Sequence, residues 1–211
     1  MLLSDVDIKK GIANGSIFID PFNEKQLGNV SYDLTVGHTI ARYKSTKSVT
    51  APDAIHQHMP FDVLFDVEMH SREIEIKPGE RILAHTREFA GGTGKRYSTD
   101  LCNGRDYAVT SYLQATSTAA RLGLTACLCA GWGDVGYCNR WTLEVLNVSP
   151  YTIFLPVGAV IAQICFESVT APDKLYGLDT GSYQQGIDIN KLRQEWDPLK
   201  HMLPKKLKVY E

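Results

Sequence analysis

Residues 140–169 read RWTLEVLNVSPYTIFLPVGAVIAQICFESV. Apolar residues alternate with polar ones through "RWTLEVLN", and the run then breaks at Ser149-Pro150 and again at Pro156-Gly158. Period-2 patterning interrupted by Pro and Gly predicts short strands joined by turns. The same pattern extends backwards through "SIFIDPF", "SYDLTVGHTIARY", "DVLFDVEM", "REIEIKPGERILAHTREF" and "YAVTSYLQAT", with Pro78-Gly79 marking a turn. No βαβ rhythm appears, so the expected class is all-β rather than a doubly wound sheet or an α/β barrel.

Two short helical pieces flank the strands. Near the start, Ser4 and Asp7 form a capping-box pattern, Ile8 and Ile12 give one apolar face, and Gly15 is the stop. From about Asp188 the chain turns helical and basic, "DINKLRQEWDPLKHMLPKKLKVYE", an appendage or a docking helix. The division expected is a main domain over 1–186 and an extension over 187–211. Residues 90–106, "AGGTGKRYSTDLCNGRD", are Gly-rich and polar and read as an inserted loop.

Composition excludes several functions. The 211 residues can bury a real core, and a formal charge of −2 gives no general pull toward nucleic acid or anionic membrane. No apolar run is long enough to span a bilayer, and "MLLSDVDIKKGIANG" lacks the apolar stretch of a signal peptide. Five cysteines without CxxC spacing fit free thiols in a reducing cytoplasm. Cys127 and Cys129 are expected to share one face of a strand and to pack there. The histidines (His38, His56, His58, His70, His85, His201) show no ligand spacing. "GGTGKR" fails as a phosphate loop because Phe89 and Arg96 stand where Gly and Ser/Thr are required. The H-x-E and P-C-x-x-C signatures of zinc deaminases are both missing.

The remaining polar residues lie in "QATSTAARLGLTACLCAGWGDVGYCNRWTLEVLN", 114–147. Periodicity places Glu144 with Thr142 and Leu146, which by itself describes a solvent face. Asp134 in a Gly-rich turn and Arg121 alone have ordinary readings as a turn former and a surface residue.

Taken together, however, the ordered motifs resemble the dCTP deaminase branch of the trimeric dUTPase-like superfamily over most of 1–186. "LSDVDIKKGIANGSIFIDPFNEKQLGNVSYDLTVG" is similar to that family's opening helix and first strands. "STAARLGLTACLCAGWGDVGYCNRWTLEVLN" is similar to its S-S-x-x-R-x-G segment, base-reading hairpin and catalytic strand, while "VGAVIAQICFE" and "LYGLDTGSYQQG" resemble its G-x-x-I-x-Q strand and closing segment. The resemblance implies a distorted β-barrel or β-clip assembled as a homotrimer, with a hexamer as the alternative, and active sites between subunits. It implies zinc-independent hydrolytic deamination of a cytosine deoxynucleotide, with Mg²⁺ carried on the substrate phosphates. Alternatives are a diphosphatase, alone or combined with deamination, and a silent nucleotide-binding regulator.

Residue by residue, the resemblance makes Glu144 the general acid/base and Ser117 its partner in holding the attacking water. Arg121 would steady the site and the phosphates. The Ala130 main chain, next to Cys129, would read the pyrimidine. Asp134 would bind the sugar 3′-hydroxyl or, in diphosphatase chemistry, activate water. Tyr137 would pack under the deoxyribose, and Trp132 after Gly131 follows the bifunctional pattern. Gln163 and the closing segment with Tyr176, Tyr183, Gln184 and Gln185 would cover the phosphates. The chain departs from the family pattern at Thr116, Cys129 and Ser182. The expected compensation for the two lost cations is Lys95, Arg96 or Arg105, or a substrate with fewer phosphates.

Overall fold

The computed structural model describes residues 1–44, 64–98 and 105–205. Helix α1 (Asp5–Asn14) begins where Ser4 accepts the Asp7 N–H and ends at Gly15, whose φ of 78° lets its N–H reach the Ile12 carbonyl. Ile8 carries the helix's fully buried contact with the core.

Eleven strands follow among the described residues: β1 (Ile17–Asp20), β2 (Tyr32–Thr35), β3 (Thr39–Tyr43), β4 (Phe65–Met69), β5 (Glu73–Ile76), β6 (Arg81–Gly92), β7 (Tyr107–Ala115), β8 (Trp132–Gly133), β9 (Cys138–Leu146), β10 (Ile153–Pro156) and β11 (Val160–Thr170). They form three antiparallel sheets. One runs β1-β6-β3-β4 with β9 also on β6, one runs β2-β11-β7-β8, and β5 pairs with β10. The alternation that the sequence predicts is realised on β9, where Trp141, Leu143 and Val145 are buried while Thr142, Glu144 and Leu146 are half-buried. Their buried side joins a core that includes Tyr32, Leu34, Ile74, Ile76, Ile82, Leu113, Ile164 and Phe166.

Strand β6 runs to Gly92, so the Gly-rich stretch read as a loop from residue 90 begins inside a sheet. Gly92 is needed there because a Cβ would lie 1.9 Å from the Val109 carbonyl oxygen. Gly92→Ala is therefore expected to destabilise the fold by about 1–3 kcal/mol, as overpacking does, measured as a lower denaturation midpoint. Residues 99–104, with Cys102, lie outside the described residues, as do His56, His58 and 206–211.

The pairing of β6 with β9 slips between His85 and Phe89. Such a bulge re-aims side chains. Here Glu88 is buried at 3% exposure and accepts from the Thr35 N–H (2.9 Å) and hydroxyl (2.7 Å), so it is hydrogen-bonded in the interior. His85 is 1% exposed, with Nδ1 2.7 Å from the Thr86 carbonyl and Nε2 accepting from the Thr39 N–H at 3.4 Å. Those bonds fit a neutral ring, and burial pushes its pKa down to about 4. Below pH 6.5 the unfolded chain takes up this proton while the folded chain does not, so folding stability falls as pH drops from 6.5 to 4. The loss from this one group is on the order of 3 kcal/mol, and denaturant titrations between pH 7 and 4.5 should show it.

The extension folds as the sequence suggests but is not a free appendage. Helix α3 (Ile189–Glu195) is capped by Asp188, and helix α4 (Pro198–His201) by Asp197. Met202 and Leu203 then bury against Ala41, Phe65 and Leu83, with Trp196 alongside. No described helix is long and apolar enough to cross a membrane.

Candidate active site

The exposed side of β9 forms the floor of a cavity of about 460 Å³. Glu144 lines it together with Ala130, Trp132, Asp134, Tyr137, Tyr176 and Tyr183, all expected from sequence. One Glu144 carboxylate oxygen, Oε2, accepts the Leu128 N–H at 3.0 Å, and the residue's own N–H donates to the Ala126 carbonyl at 3.0 Å. The Thr125 hydroxyl closes this junction, donating to the Glu144 carbonyl (2.8 Å) and accepting from the Leu146 N–H (2.8 Å). Glu144 and the backbone of residues 125–128 are thus fixed to each other by hydrogen bonds.

That arrangement overturns the expectation of a strand through Cys127 and Cys129. The segment is irregular because the Leu128 N–H goes to a side chain instead of a ladder carbonyl. Cys127 is half-buried with its thiol 3.4 Å from the Leu113 carbonyl, whereas Cys129 is exposed and lines a neighbouring cleft. Burial, with the Glu144 charge adding to it, pushes the Cys127 thiol pKa up, so it stays protonated.

The turn that carries Asp134 is tied down from both sides. Asp134 is exposed, and its carbonyl accepts the Tyr137 N–H at 2.9 Å. Gly133 is required because a Cβ would lie 2.4 Å from the Trp141 ring. The Tyr137 ring meets Trp141 and Tyr176 edge-on at 5.1 and 5.3 Å, and its hydroxyl donates to the Arg140 carbonyl. Burial raises the Tyr137 phenol pKa, which keeps it a donor.

The closing segment is seated on this turn. The Tyr176 hydroxyl accepts the Ser182 and Tyr183 N–H groups, both at 3.1 Å. Gln184 departs from the phosphate-binding expectation. It is 2% exposed, accepts the Cys138 N–H and donates to the Gly136 carbonyl, so its amide is committed to backbone. Gln185 is exposed outside the cavity lining.

Ser117, Arg121 and Gln163 are not gathered with Glu144 in this chain. Ser117 and Arg121 begin and end the short helix α2 (Ser117–Arg121), both exposed, and neither lines the cavity. Thr116, where the family pattern has a cation, is the cap of α2 and accepts the Ala119 N–H at 3.3 Å. Gln163 sits in β11 between Asp33 and Gln114, with Ser31 donating to its Oε1 at 3.5 Å. Of the cations expected to compensate, Lys95 donates to the Asn14 carbonyl and Arg96 to that of Pro172, while Arg105 is exposed; none lines the cavity.

Several lining residues were missed in the sequence. Arg81 on β6 holds a guanidinium nitrogen 3.9 Å from Glu144 Oε1. Thr142, His201, Met202 and Pro204 complete one wall, with the Thr142 hydroxyl donating to the His201 carbonyl at 3.4 Å. Among the described residues no group of three or more His, Cys, Asp or Glu is placed to hold a metal ion. Two carboxylates in the cavity, Asp134 and Glu144, suit a cation that arrives with phosphate oxygens supplying most of its ligands.

Residues 2–169 match the family model described as dCTP deaminase-like. A protein of Methanosphaera stadtmanae named "dCTP deaminase, dUMP-forming" is 32% identical over 205 residues, covering 93% of this chain and 96% of that one. A Methanopyrus kandleri protein of the same name is 30% identical, covering 86% of this chain and 90% of that one. Among solved structures, the 2′-deoxycytidine 5′-triphosphate deaminase of Agrobacterium tumefaciens superposes with a TM-score of 0.52 at 15% identity. That match covers 78% of this chain and spans 47% of that longer chain, and it bears on the fold alone. By the family match over most of its length and by these near-full-length relatives, the chain belongs to the dCTP deaminase-like family.

Proposed function

We propose that the protein deaminates dCTP and cleaves the product to dUMP and diphosphate. The observation that carries the reading is Glu144. It is a carboxylate in the cavity lining, held by the irregular segment whose main chain leads to Ala130 and can read a pyrimidine edge. Hydrolytic deamination requires water to add to C4, a proton to reach N3, and a proton to reach the departing amine. Glu144 takes one proton from water and gives it to N3, then takes the second from the C4 hydroxyl of the adduct and gives it to the amino group, so that the C4–N bond breaks, ammonia leaves and the C4 carbonyl forms. Fixed N–H and C=O groups near Ala130 orient the base. Tyr137 packs beneath the sugar, and Asp134 accepts from its 3′-hydroxyl. Asp134 also serves the second step, where water attacks the α-phosphorus and diphosphate leaves. The full balance is dCTP plus two waters giving dUMP, ammonia and diphosphate.

The relatives named dUMP-forming support the second step. No zinc enters the proposed route. Mg²⁺, bound through the phosphates, supplies charge neutralisation there. The exposed positions of Ser117 and Arg121 favour a homotrimer in which these two residues complete a neighbour's cavity. Incubation with dCTP, dUTP and dCMP plus Mg²⁺, with products identified by mass, tests the reading. Formation of dUMP from both triphosphates is expected. Turnover of dUTP alone would leave only the diphosphatase, and turnover of neither would leave a nucleotide-binding regulator.

A further inference from the structure

Arg140 lies on the same face of β9 as Thr142 and Glu144, but beyond the catalytic cavity. Its guanidinium is stacked between the Phe89 ring (4.9 Å) and the Trp196 ring (4.6 Å). Its Nε is buried without a hydrogen-bond partner, and it forms no ion pair among the described residues. Burial lowers its pKa; Glu88 and, more weakly, Asp20 oppose that shift, and nearby Arg87 adds to it.

Arg140 lines a second cavity, of about 670 Å³, with Arg87, Arg193, Asn190, Gln194 and Asp20. Arg193 pairs with Asp20 at 3.1 Å, which leaves Arg87 and Arg140 as two cations with no carboxylate partner in the lining. Glu88 is close enough to be felt, but its oxygens are taken by Thr35 and Gln26. Asn190, Arg193 and Gln194 are spaced i, i+3, i+4, so α3 turns one polar face of amides and a guanidinium toward the sheet's two arginines. Forked guanidinium donors and neutral amides around unpaired positive charge are the chemistry that recognises phosphate.

We propose that this second cavity binds a phosphate-bearing anion, the phosphates of a free diphosphate or of a nucleotide, and that the anion ties α3 to the β6–β9 sheet. Trp196, His201, Met202 and Pro204 follow α3 directly, and the last three line the catalytic cavity. Occupancy of the second cavity therefore holds that wall in place. Anion binding stands independently of the deaminase reading; only the naming of the neighbouring cavity as catalytic rests on it.

The test is hydrogen exchange of residues 188–204 in the full-length protein, titrated with sodium diphosphate and, in parallel, with dGTP. Sodium chloride at matched ionic strength is the control. Saturable protection is expected in the unaltered protein and in Arg121→Ala. It should weaken about tenfold in apparent affinity in Arg87→Ala and in Gln194→Ala, both exposed positions whose loss spares the core. Arg87→Lys should recover part of it. Tighter protection by dGTP than by diphosphate identifies a nucleotide as the occupant, and the reverse identifies free diphosphate. Protection that sodium chloride reproduces, that survives both cavity variants, or that vanishes only in Arg121→Ala would overturn the proposal.

Discussion

Glu144→Gln is expected to lower kcat for dCTP deamination by roughly a thousandfold while changing KM by only a few-fold. The amide keeps the size of the carboxylate and can still accept the Leu128 N–H, so the 125–130 segment and the cavity stay in place. What it loses is the group that takes a proton from water and returns it to nitrogen, and general acid–base catalysis contributes roughly 10²–10⁴-fold. A fall confined to kcat marks an interaction made in the transition state, whereas a rise in KM alone would mark simple binding. Steady-state rates of ammonia release give both numbers. Because Asp134 is a separate carboxylate on the opposite side of the cavity turn, hydrolysis of dUTP by the variant should fall far less.

The second large effect concerns assembly. Ser117→Ala and Glu144→Gln should each be inactive as purified proteins, yet become active when the two chains are co-expressed in equal amounts. If a cavity draws Glu144 from one copy and Ser117 from the next, random mixing restores one intact pairing in four, or about a quarter of the normal deaminase rate. If both residues served one cavity within the same chain, mixing would restore nothing. The physical basis is their separation in the fold. Glu144 faces the cavity from the middle of β9, while Ser117 and Arg121 sit exposed on α2 and contribute nothing to that lining.

Much of this architecture was legible because backbone punctuation and side-chain period agree. Pro78-Gly79 falls between β5 and β6, Ser149-Pro150 between β9 and β10, and Pro156-Gly158 ends β10 and turns the chain toward β11. Alternation along Trp141–Leu146 correctly set Glu144 and Thr142 on the face away from the core. Periodicity described that face as open, because it cannot register what later folds over it. The cover comes from Tyr183 and from His201, Met202 and Pro204, dozens of residues downstream. Arg81 was invisible for a similar reason. Only the antiparallel pairing of β6 with β9 brings it beside Glu144, although a cation opening the apolar run "RILAH" was a usable signal. The irregular path through Cys127 and Cys129 escaped because a side-chain carboxylate, not a ladder partner, satisfies the Leu128 N–H. The resemblance sets Gln184 over the phosphates, whereas its burial depends on tertiary contacts with Gly136 and Cys138.

Turnover of dCTP in ¹⁸O-labelled water, read by mass spectrometry of the nucleoside and phosphate fragments, addresses the central claim most directly. The expected product is dUMP with one label at uracil O4 and a second on its phosphate, together with unlabelled diphosphate and one ammonia per dUMP. Intact cytosine in a labelled monophosphate, with no ammonia released, would contradict it.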